Sequence, residues 1–239
     1  FLIYLNTLHS DFITEWDDRA YVVNNTLIRS LNLDSIYSIF TTPHYTDYYP
    51  LTLLSYATDY QIWGLNPFGY RPTNIVIHIL NSILLYLFIY SLLSRHTAYK
   101  EKANEAIATL AALIFLAHPV NVETVAWISE RKNVLSMTFF IIAFYCYSSY
   151  RTIEKRYYYD TSLLFFLFAL LSKSSVVIFP VLITFYDYLF FCKKGDSKLS
   201  LLINKIPFFL LAAIFSSIII LVHTNIGALH EHPNGSLLY

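Results

Sequence analysis

The residues best suited to chemistry lie in three places far apart in the chain. The first is Glu15-Trp16-Asp17-Asp18-Arg19, where two carboxylates stand side by side next to a tryptophan. Two close carboxylates repel, which is expected to raise the pKa of one and leave the other ionised, a starting point for general-base work. Adjacent side chains diverge along a helix or strand, so both reach one cleft only where a turn carries them; the alternative is a solvated loop edge. The second is His118-Pro119-Val120-Asn121-Val122-Glu123-Thr124-Val125-Ala126-Trp127-Ile128-Ser129-Glu130-Arg131-Lys132, which compresses His118, Glu123, Glu130, Arg131 and Lys132 between two apolar runs. Charge at membrane depth is costly unless paired and so points to function. Arg131 as a bidentate fork and Lys132 as a point charge suit a phosphate; the alternative is cations reaching out to lipid headgroups. The third is Lys173, the only charge between Thr161 and Tyr186. It has no acid near it in sequence, and a lipid phosphate or Glu123 is expected as its counter-ion. Together the three suit one anionic lipid donor and one hydroxyl acceptor.

Other polar residues carry less. His78 and Asn81, about one helical turn apart, are expected to be interhelical hydrogen bonders rather than ligands. His223, His230 and His232 match no standard metal spacing. Asn24-Asn25-Thr26 and Asn234-Gly235-Ser236 fit the glycosylation pattern, which is too common to weigh. Cys146 and Cys192 lack C-x-x-C spacing and read as small apolar residues. With five glycines in all, the chain has no Walker A loop, dinucleotide loop or nucleophile elbow.

The elements that must position these residues are membrane helices. Of 239 residues 56% are hydrophobic and 13% charged, against roughly 25% charged in soluble domains, and the mean hydropathy is +0.49. The 21 tyrosines and 19 phenylalanines suit a protein with many membrane boundaries. Sixteen Lys and Arg balance sixteen Asp and Glu, so no basic surplus points to nucleic acid. A span needs about 20 apolar residues, and seven segments are predicted: 1–10, 73–94, 106–119, 133–150, 159–172, 175–192 and 205–224. The division at Lys173 follows from charge. Two helices there put Arg95/Lys100/Lys102, Arg151/Lys155/Arg156 and Lys193/Lys194/Lys198/Lys205 on one face, cytoplasmic by the positive-inside rule; a single helix would strand Lys173 in mid-bilayer.

The chain is therefore expected to be all-α, one transmembrane domain over 1–239. It comprises an outer loop at 11–71, six membrane helices within 72–224 and the start of a further outer loop at 225–239. Within the first loop, Leu33, Ile36, Tyr37 and Phe40 behind Asn32 and Asp34 predict a short amphipathic helix. A second runs from Pro50 to near Gly64 with Leu53, Tyr56, Tyr60 and Trp63 on one face. Both either lie on the membrane or pack on the bundle. Asn66-Pro67-Phe68-Gly69 is read as a turn, and Pro72 as the opening of the next membrane helix. The apolar residues Phe1 to Leu8 read as the end of a helix, so the natural N-terminus is expected upstream.

These residues resemble a known family. The motifs are Trp16-Asp17-Asp18 with Tyr21-Val22-Val23-Asn24-Asn25, Tyr49-Pro50-Leu51-Thr52, Leu65-Asn66-Pro67-Phe68-Gly69-Tyr70-Arg71, the block from His118 to Lys132, and Leu171-Ser172-Lys173-Ser174. They resemble the membrane part of the transmembrane and tetratricopeptide-repeat proteins, GT-C-type glycosyltransferases related to protein O-mannosyltransferases. The resemblance implies transfer of a sugar from a polyprenyl-phosphate carrier to a hydroxyl on a protein or glycan. It places transfer at the periplasmic or lumenal face of the bacterial inner membrane or endoplasmic reticulum, with inversion. It implies that Asp17 or Asp18 acts as base, with Glu123 in the catalytic set. His118, Arg131, Lys132 and Lys173 would hold the donor phosphate, and Glu130 and Arg71 would stand near the acceptor or behind the reacting groups. Two departures stand out: no tetratricopeptide repeat is present, and Ser174 occupies a position that is often proline. No cofactor is required by the sequence, and a divalent ion on Asp17, Asp18, Glu123 and His118 is left open. The competing readings are a catalytically silent membrane subunit anchoring a larger envelope complex, and a transporter. The latter is disfavoured because Pro180 is the only proline well inside a membrane run and the charges gather at one face.

Overall fold

The computed structural model describes residues 2–45, 47–192 and 202–225. Among them all regular structure is helical, and one bridge pairs His44 with Asp47. The α-helices are α1 (Leu33–Thr41), α2 (Pro50–Trp63), α3 (Pro67–His96), α4 (Glu101–Ala117), α5 (Asn121–Ala126), α6 (Arg131–Ile153), α7 (Arg156–Ser172), α8 (Phe179–Phe190) and α9 (Ile206–Asn225). Tighter 3-10 turns cover Leu2–Thr7, Leu27–Arg29, Ile128–Glu130 and Ser174–Ile178, and a π turn covers Arg19–Val23.

Local chemistry sets the boundaries. Asn32 caps α1 by accepting from the Ser35 N–H at 2.8 Å. Pro50 fills the first position of α2, where its missing N–H costs nothing, and Gly64 ends the helix at φ +58°, ψ −133°, a combination only glycine adopts readily. The next helix begins earlier than the sequence suggests. Asn66 caps it by accepting from Phe68 N–H at 3.1 Å and Pro67 takes its first position, so Pro67–Gly69 is helix rather than turn and Pro72 lies inside α3. Gly69 permits this entry: a Cβ there would stand 2.0 Å from Cγ of Trp63, which folds back over it. The connection between α6 and α7 is Glu154 and Lys155, with Glu154 in the left-handed region at φ +59°. A link this short sets two helices side by side.

α3 and the stretch Ile206–Thr224 are long and apolar enough to cross a membrane, with 30 and 19 residues. At 1.5 Å per residue α3 extends about 45 Å. α4 and α7, at 17 residues each, reach roughly 25 Å, under the hydrocarbon thickness of about 30 Å. α6 has the length, but the polar residues Ser136, Thr138, Ser148 and Ser149 face inward along it. Of the seven expected segments two therefore meet the measure for a span. The chain breaks at Lys173, as the charge argument required: α7 ends at Ser172 and α8 follows the turn Ser174–Ile178. The loop expected at 225–239, the cations Lys193, Lys194 and Lys198, and the histidines 230 and 232 lie outside the described residues, except Asn225 at the end of α9.

Three apolar clusters hold these elements. Phe166, Phe179 and Phe208 centre the one joining α6 to α9. Tyr21, Ile28, Ile39, Leu53, Tyr56 and Tyr70 pack the segment before α2 onto α2 and α3, so α1 and α2 dock on the bundle through Ile39, Leu53 and Tyr56. Tyr4, Ile75, Val125 and Val134 form the third. Between helices, His78 Nε2 lies 3.2 Å from the Leu116 carbonyl, and Asn81 donates to the Val134 carbonyl at 2.7 Å. Both are interhelical hydrogen bonders. At the far end of the bundle Asp187, 1% exposed, pairs with Lys205 at 2.5 Å and Arg151 at 2.9 Å and accepts from Tyr147 at 2.8 Å. Arg151 and Lys205, members of the expected cytoplasmic basic clusters, are thus held by one buried carboxylate.

Candidate active site

α2 ties together the two turns that carry the site. Its Thr52 hydroxyl donates to the Ser172 carbonyl at 3.0 Å, and its Tyr56 hydroxyl donates to the Ile128 carbonyl at 2.9 Å. The 171–175 turn and the 127–132 turn are therefore fixed to one rigid element.

The adjacent carboxylates separate. Asp18 is fully buried: one oxygen accepts from Ile13 N–H at 2.9 Å, and the other from the Ser129 N–H at 2.9 Å and the Ser129 hydroxyl. It joins the segment around Ile13 to the 127–132 turn, and both of its oxygens are engaged by these donors. Asp17 points elsewhere, half-buried, and lies 3.1 Å from Lys132 Nζ. The turn thus does not aim both carboxylates at one cleft, because anchoring the loop consumes one of them.

The cations separate in the same way. Arg131 is fully buried, with Nε donating to Asn74 at 2.7 Å, Nη2 to the Tyr70 carbonyl at 2.7 Å and Nη1 paired with Asp59. Its guanidinium also lies 4.8 Å from the Tyr56 ring centre. With these donors engaged inside the protein, Arg131 is not available to a phosphate, and the expectation is corrected: it holds α6 to α2 and α3. Lys132, the next residue, is turned about 100° around the helix axis and reaches Asp17 at 3.1 Å and Glu130 at 3.7 Å. The Tyr21 and Tyr49 rings flank its ammonium at 5.4 and 5.9 Å. Lys173 donates to Asn133, one residue further along α6. Burial pushes its pKa below the usual lysine range and Lys132 adds to the fall, while Glu130 and Asp47 oppose it. Burial and the neighbouring Tyr21 push the Tyr49 phenol well up, so it stays neutral.

Lys132 therefore joins Asp17 and Glu130 directly, and Lys173 stands near enough for Glu130 and Lys132 to act on its charge. The others do not join them. Arg71, 2% exposed, spends its guanidinium on the carbonyls of Ser10, Asp11 and Ala126, and so braces the backbone. His118 is exposed and its Nδ1 accepts from Val120 N–H at 3.2 Å, capping the turn before α5. Glu123 is exposed and lines a different cavity, so Lys173 takes Asn133 and Glu130 as neighbours instead. Among the described residues no three His, Cys, Asp or Glu side chains gather where a metal ion could sit. Asp17, Asp18, Glu123 and His118 accordingly do not form a ligand set.

Two cavities adjoin the cluster. One of about 330 Å³ has Lys173 and Asn133 in its wall together with Phe115, Met137, Phe140 and Val176. The other, of about 550 Å³, is lined by Glu15, Trp16, Asp17, Arg19, Asn24 and neighbours. The sequence reading missed Asp59, Asn74 and Ser129, the partners that saturate Arg131 and Asp18. A signal was present for Asn74: with His78 and Asn81 it makes a polar stripe at helical spacing on an otherwise apolar helix.

Comparison with known proteins bears on this arrangement. The chain is similar to the protein O-mannosyl-transferase TMTC2 of Mus musculus, 30% identical over 152 residues, 61% of this chain and 17% of the relative. It is 31% identical to the protein O-mannosyl-transferase TMTC1 of Homo sapiens over 158 residues, 62% of this chain and 17% of that protein. The likeness is to an O-mannosyltransferase-like family. A third relative, TMTC4 of Mus musculus, is 29% identical over 161 residues, 61% of this chain and 21% of its own length. The chain thus spans about a fifth or less of the length of these relatives. No family model and no solved structure matches it.

Proposed function

We propose that this chain is the membrane part of a glycosyltransferase that moves a sugar from a polyprenyl-phosphate carrier to a protein hydroxyl at the outer face of a membrane. The observation that carries the reading is the meeting of Asp17 and Lys132 at 3.1 Å, between a polar cavity lined by Asp17 and a largely apolar one lined by Lys173. The apolar cavity suits an isoprenoid chain, with the Lys173 ammonium at its phosphate. The crossings beyond α3 and α9 and the outward orientation belong to the same proposal.

In the step so formed, the acceptor oxygen attacks the anomeric carbon from the face opposite the phosphate, so the configuration inverts. The carbon–oxygen bond to phosphate breaks, and its electron pair leaves on the phosphate oxygen. The hydroxyl proton passes to Asp17. Lys173 and Lys132 stabilise the charge that grows on the leaving phosphate, the interaction that strengthens most between ground and transition state. Glu130 keeps Lys132 between itself and Asp17. Bringing donor and acceptor together in fixed orientation supplies much of the remaining rate.

The test is transfer of labelled mannose from a mannosyl-phosphoryl polyprenol to a threonine peptide by membranes carrying the chain. Asp17→Asn is expected to lose transfer by about 10²–10⁴-fold, the range for general-base removal, at unchanged expression. Lys173→Gln is expected to raise the donor KM. Wild-type turnover in Asp17→Asn would overturn the assignment.

A further inference from the structure

The first three residues of α6 reach three different partners. Arg131 turns inward to Asn74 and Asp59, Lys132 meets Asp17, and Asn133 meets Lys173 on the 171–175 turn. The two lysines of the cleft are therefore held differently. Lys132 stands against two carboxylates, Asp17 at 3.1 Å and Glu130 at 3.7 Å, so its charge is met within the protein. Lys173 donates to the Asn133 side-chain oxygen, and among the described residues no carboxylate forms an ion pair with it. The amide that takes the ammonium keeps its own N–H groups, since Asn133 Nδ2 donates to nothing among the described residues. Ammonium and amide line one cavity of about 330 Å³, whose walls also include Phe115, Met137, Phe140 and Val176.

We infer that Asn133 is a binding residue for phosphate: its oxygen sets the Lys173 ammonium and its N–H2 donates to a phosphoryl oxygen beside it. The inference rests on the transferase reading above only for the lipid that carries the phosphate. A lysine held by a carboxylate is neutralised as a pair, and an added anion there is repelled by the carboxylate. A lysine held by a neutral amide keeps its full charge, and Lys173 is half-buried, where that charge acts more strongly than in water. The amide also supplies what a carboxylate cannot, two further donors next to the ammonium. Two side chains donating charge-assisted hydrogen bonds hold an anion more firmly than a lone cation does, and a phosphoryl group has oxygens for both. The apolar walls favour a lipid phosphate. A free phosphate would leave its remaining oxygens against Phe115 and Met137 without partners, whereas a polyprenyl phosphate lays its chain there and turns its oxygens to the two donors.

Acetylation of Lys173 by acetic anhydride, read by mass spectrometry on the full chain in detergent, reports this site without any sugar transfer, because only the neutral amine reacts and an occupant shields it. The probes are a polyprenyl phosphate, the polyprenol of the same length and inorganic phosphate. The polyprenyl phosphate is expected to protect Lys173 and the polyprenol to leave it reactive. In Asn133→Ala the concentration needed for protection is expected to rise about ten-fold, the scale of one hydrogen bond to a charged group. In Asn133→Asp it is expected to rise further, and the labelling midpoint of Lys173 to move to higher pH, because a carboxylate favours the ammonium. Melting temperatures are recorded for both variants, and protection is compared on the folded fraction. Unchanged protection in the variants, or equal protection by the polyprenol, overturns the site. Protection by inorganic phosphate at the same concentration as the polyprenyl phosphate supports the site and makes its occupant a free anion. Protection as expected without mannose transfer by the wild-type chain supports the site and overturns the transferase reading; transfer by the wild-type chain with unchanged protection in the variants does the reverse.

Discussion

Asp17 and Asp18 are neighbours, and so are Arg131 and Lys132, yet each pair is divided between two layers of the molecule. Asp18 and Arg131 belong to a sealed layer in which Ser129, Ile13, Asn74, Asp59 and backbone carbonyls engage their polar atoms. Asp17 and Lys132 belong to a cleft layer, with side chains 35% and 13% exposed, and face each other across an ion pair. The difference teaches that a charged motif does not act as a unit. A buried charge is tolerated only when nearly every hydrogen-bonding valence is met, so one member of each pair builds the frame that aims the other.

The largest predicted effect breaks the sealed layer. Arg131→Met leaves Asp59 buried without its cation, and loss of one partner of a buried pair costs about 3–5 kcal/mol. The variant is expected to yield little folded protein, and Arg131→Met combined with Asp59→Leu to recover much of it, as read by thermal unfolding in detergent. Recovery by Arg131→Lys alone would contradict the account, since a lysine cannot reach Asn74, Asp59 and the Tyr70 carbonyl with one planar fork.

Next comes Asp18→Ala, which strands the N–H groups of Ile13 and Ser129. Removing an acceptor from buried donors costs about 1–3 kcal/mol, so the melting temperature should fall by several degrees. The contrasting change, Lys132→Gln in the cleft layer, should move stability by about 1 kcal/mol or less while transfer falls far more. Equal stability losses in the two would erase the distinction between layers.

Lys173 sharpens the comparison through pH. Its pKa lies below the usual lysine range because of burial and Lys132. The ammonium is therefore lost at lower pH than in an exposed lysine, and kcat/KM for the donor should decline on the alkaline side before the ordinary value of about 10.4. Stability runs the other way. Between the lowered folded value and the ordinary one the unfolded chain binds more protons, so unfolding free energy rises with pH across that window. Lys173→Arg should move the activity limb upward, measured by initial rates against pH. The smallest effect is expected at His118→Ala: an exposed ring that accepts one backbone hydrogen bond should alter stability by about 0.5 kcal/mol or less and leave transfer intact.

The sequence was most legible where physics is local. Apolar runs and cap residues marked the helices, and charge arithmetic divided the chain at Lys173. It was least legible where partners are distant. Nothing near Arg131 in sequence points to Asp59 or Asn74, and nothing near Asp18 points to Ser129 across 111 positions. The reading of Arg131 as a phosphate ligand took no account of those partners, and phosphate binding by Lys132 and Lys173 belongs to the proposal. The start of α3 was misplaced because Asn66-Pro67 reads equally as a turn or as a cap followed by a first-turn proline. The choice fell to Gly69, whose missing side chain admits Trp63. Glu123 was one of two counter-ions expected for Lys173, with a lipid phosphate the other, but it lines the cavity with Trp16 and Trp127 instead.

The central claim is that Asp17, and not its neighbour, takes the acceptor proton, and a paired measurement tests it most directly. Mannose transfer and thermal unfolding are recorded together for Asp17→Asn and Asp18→Asn. The account predicts that Asp17→Asn melts like the wild type and has lost transfer, whereas Asp18→Asn melts lower and transfers in proportion to its folded fraction. Normal turnover in a folded Asp17→Asn, or full stability with abolished transfer in Asp18→Asn, would contradict it.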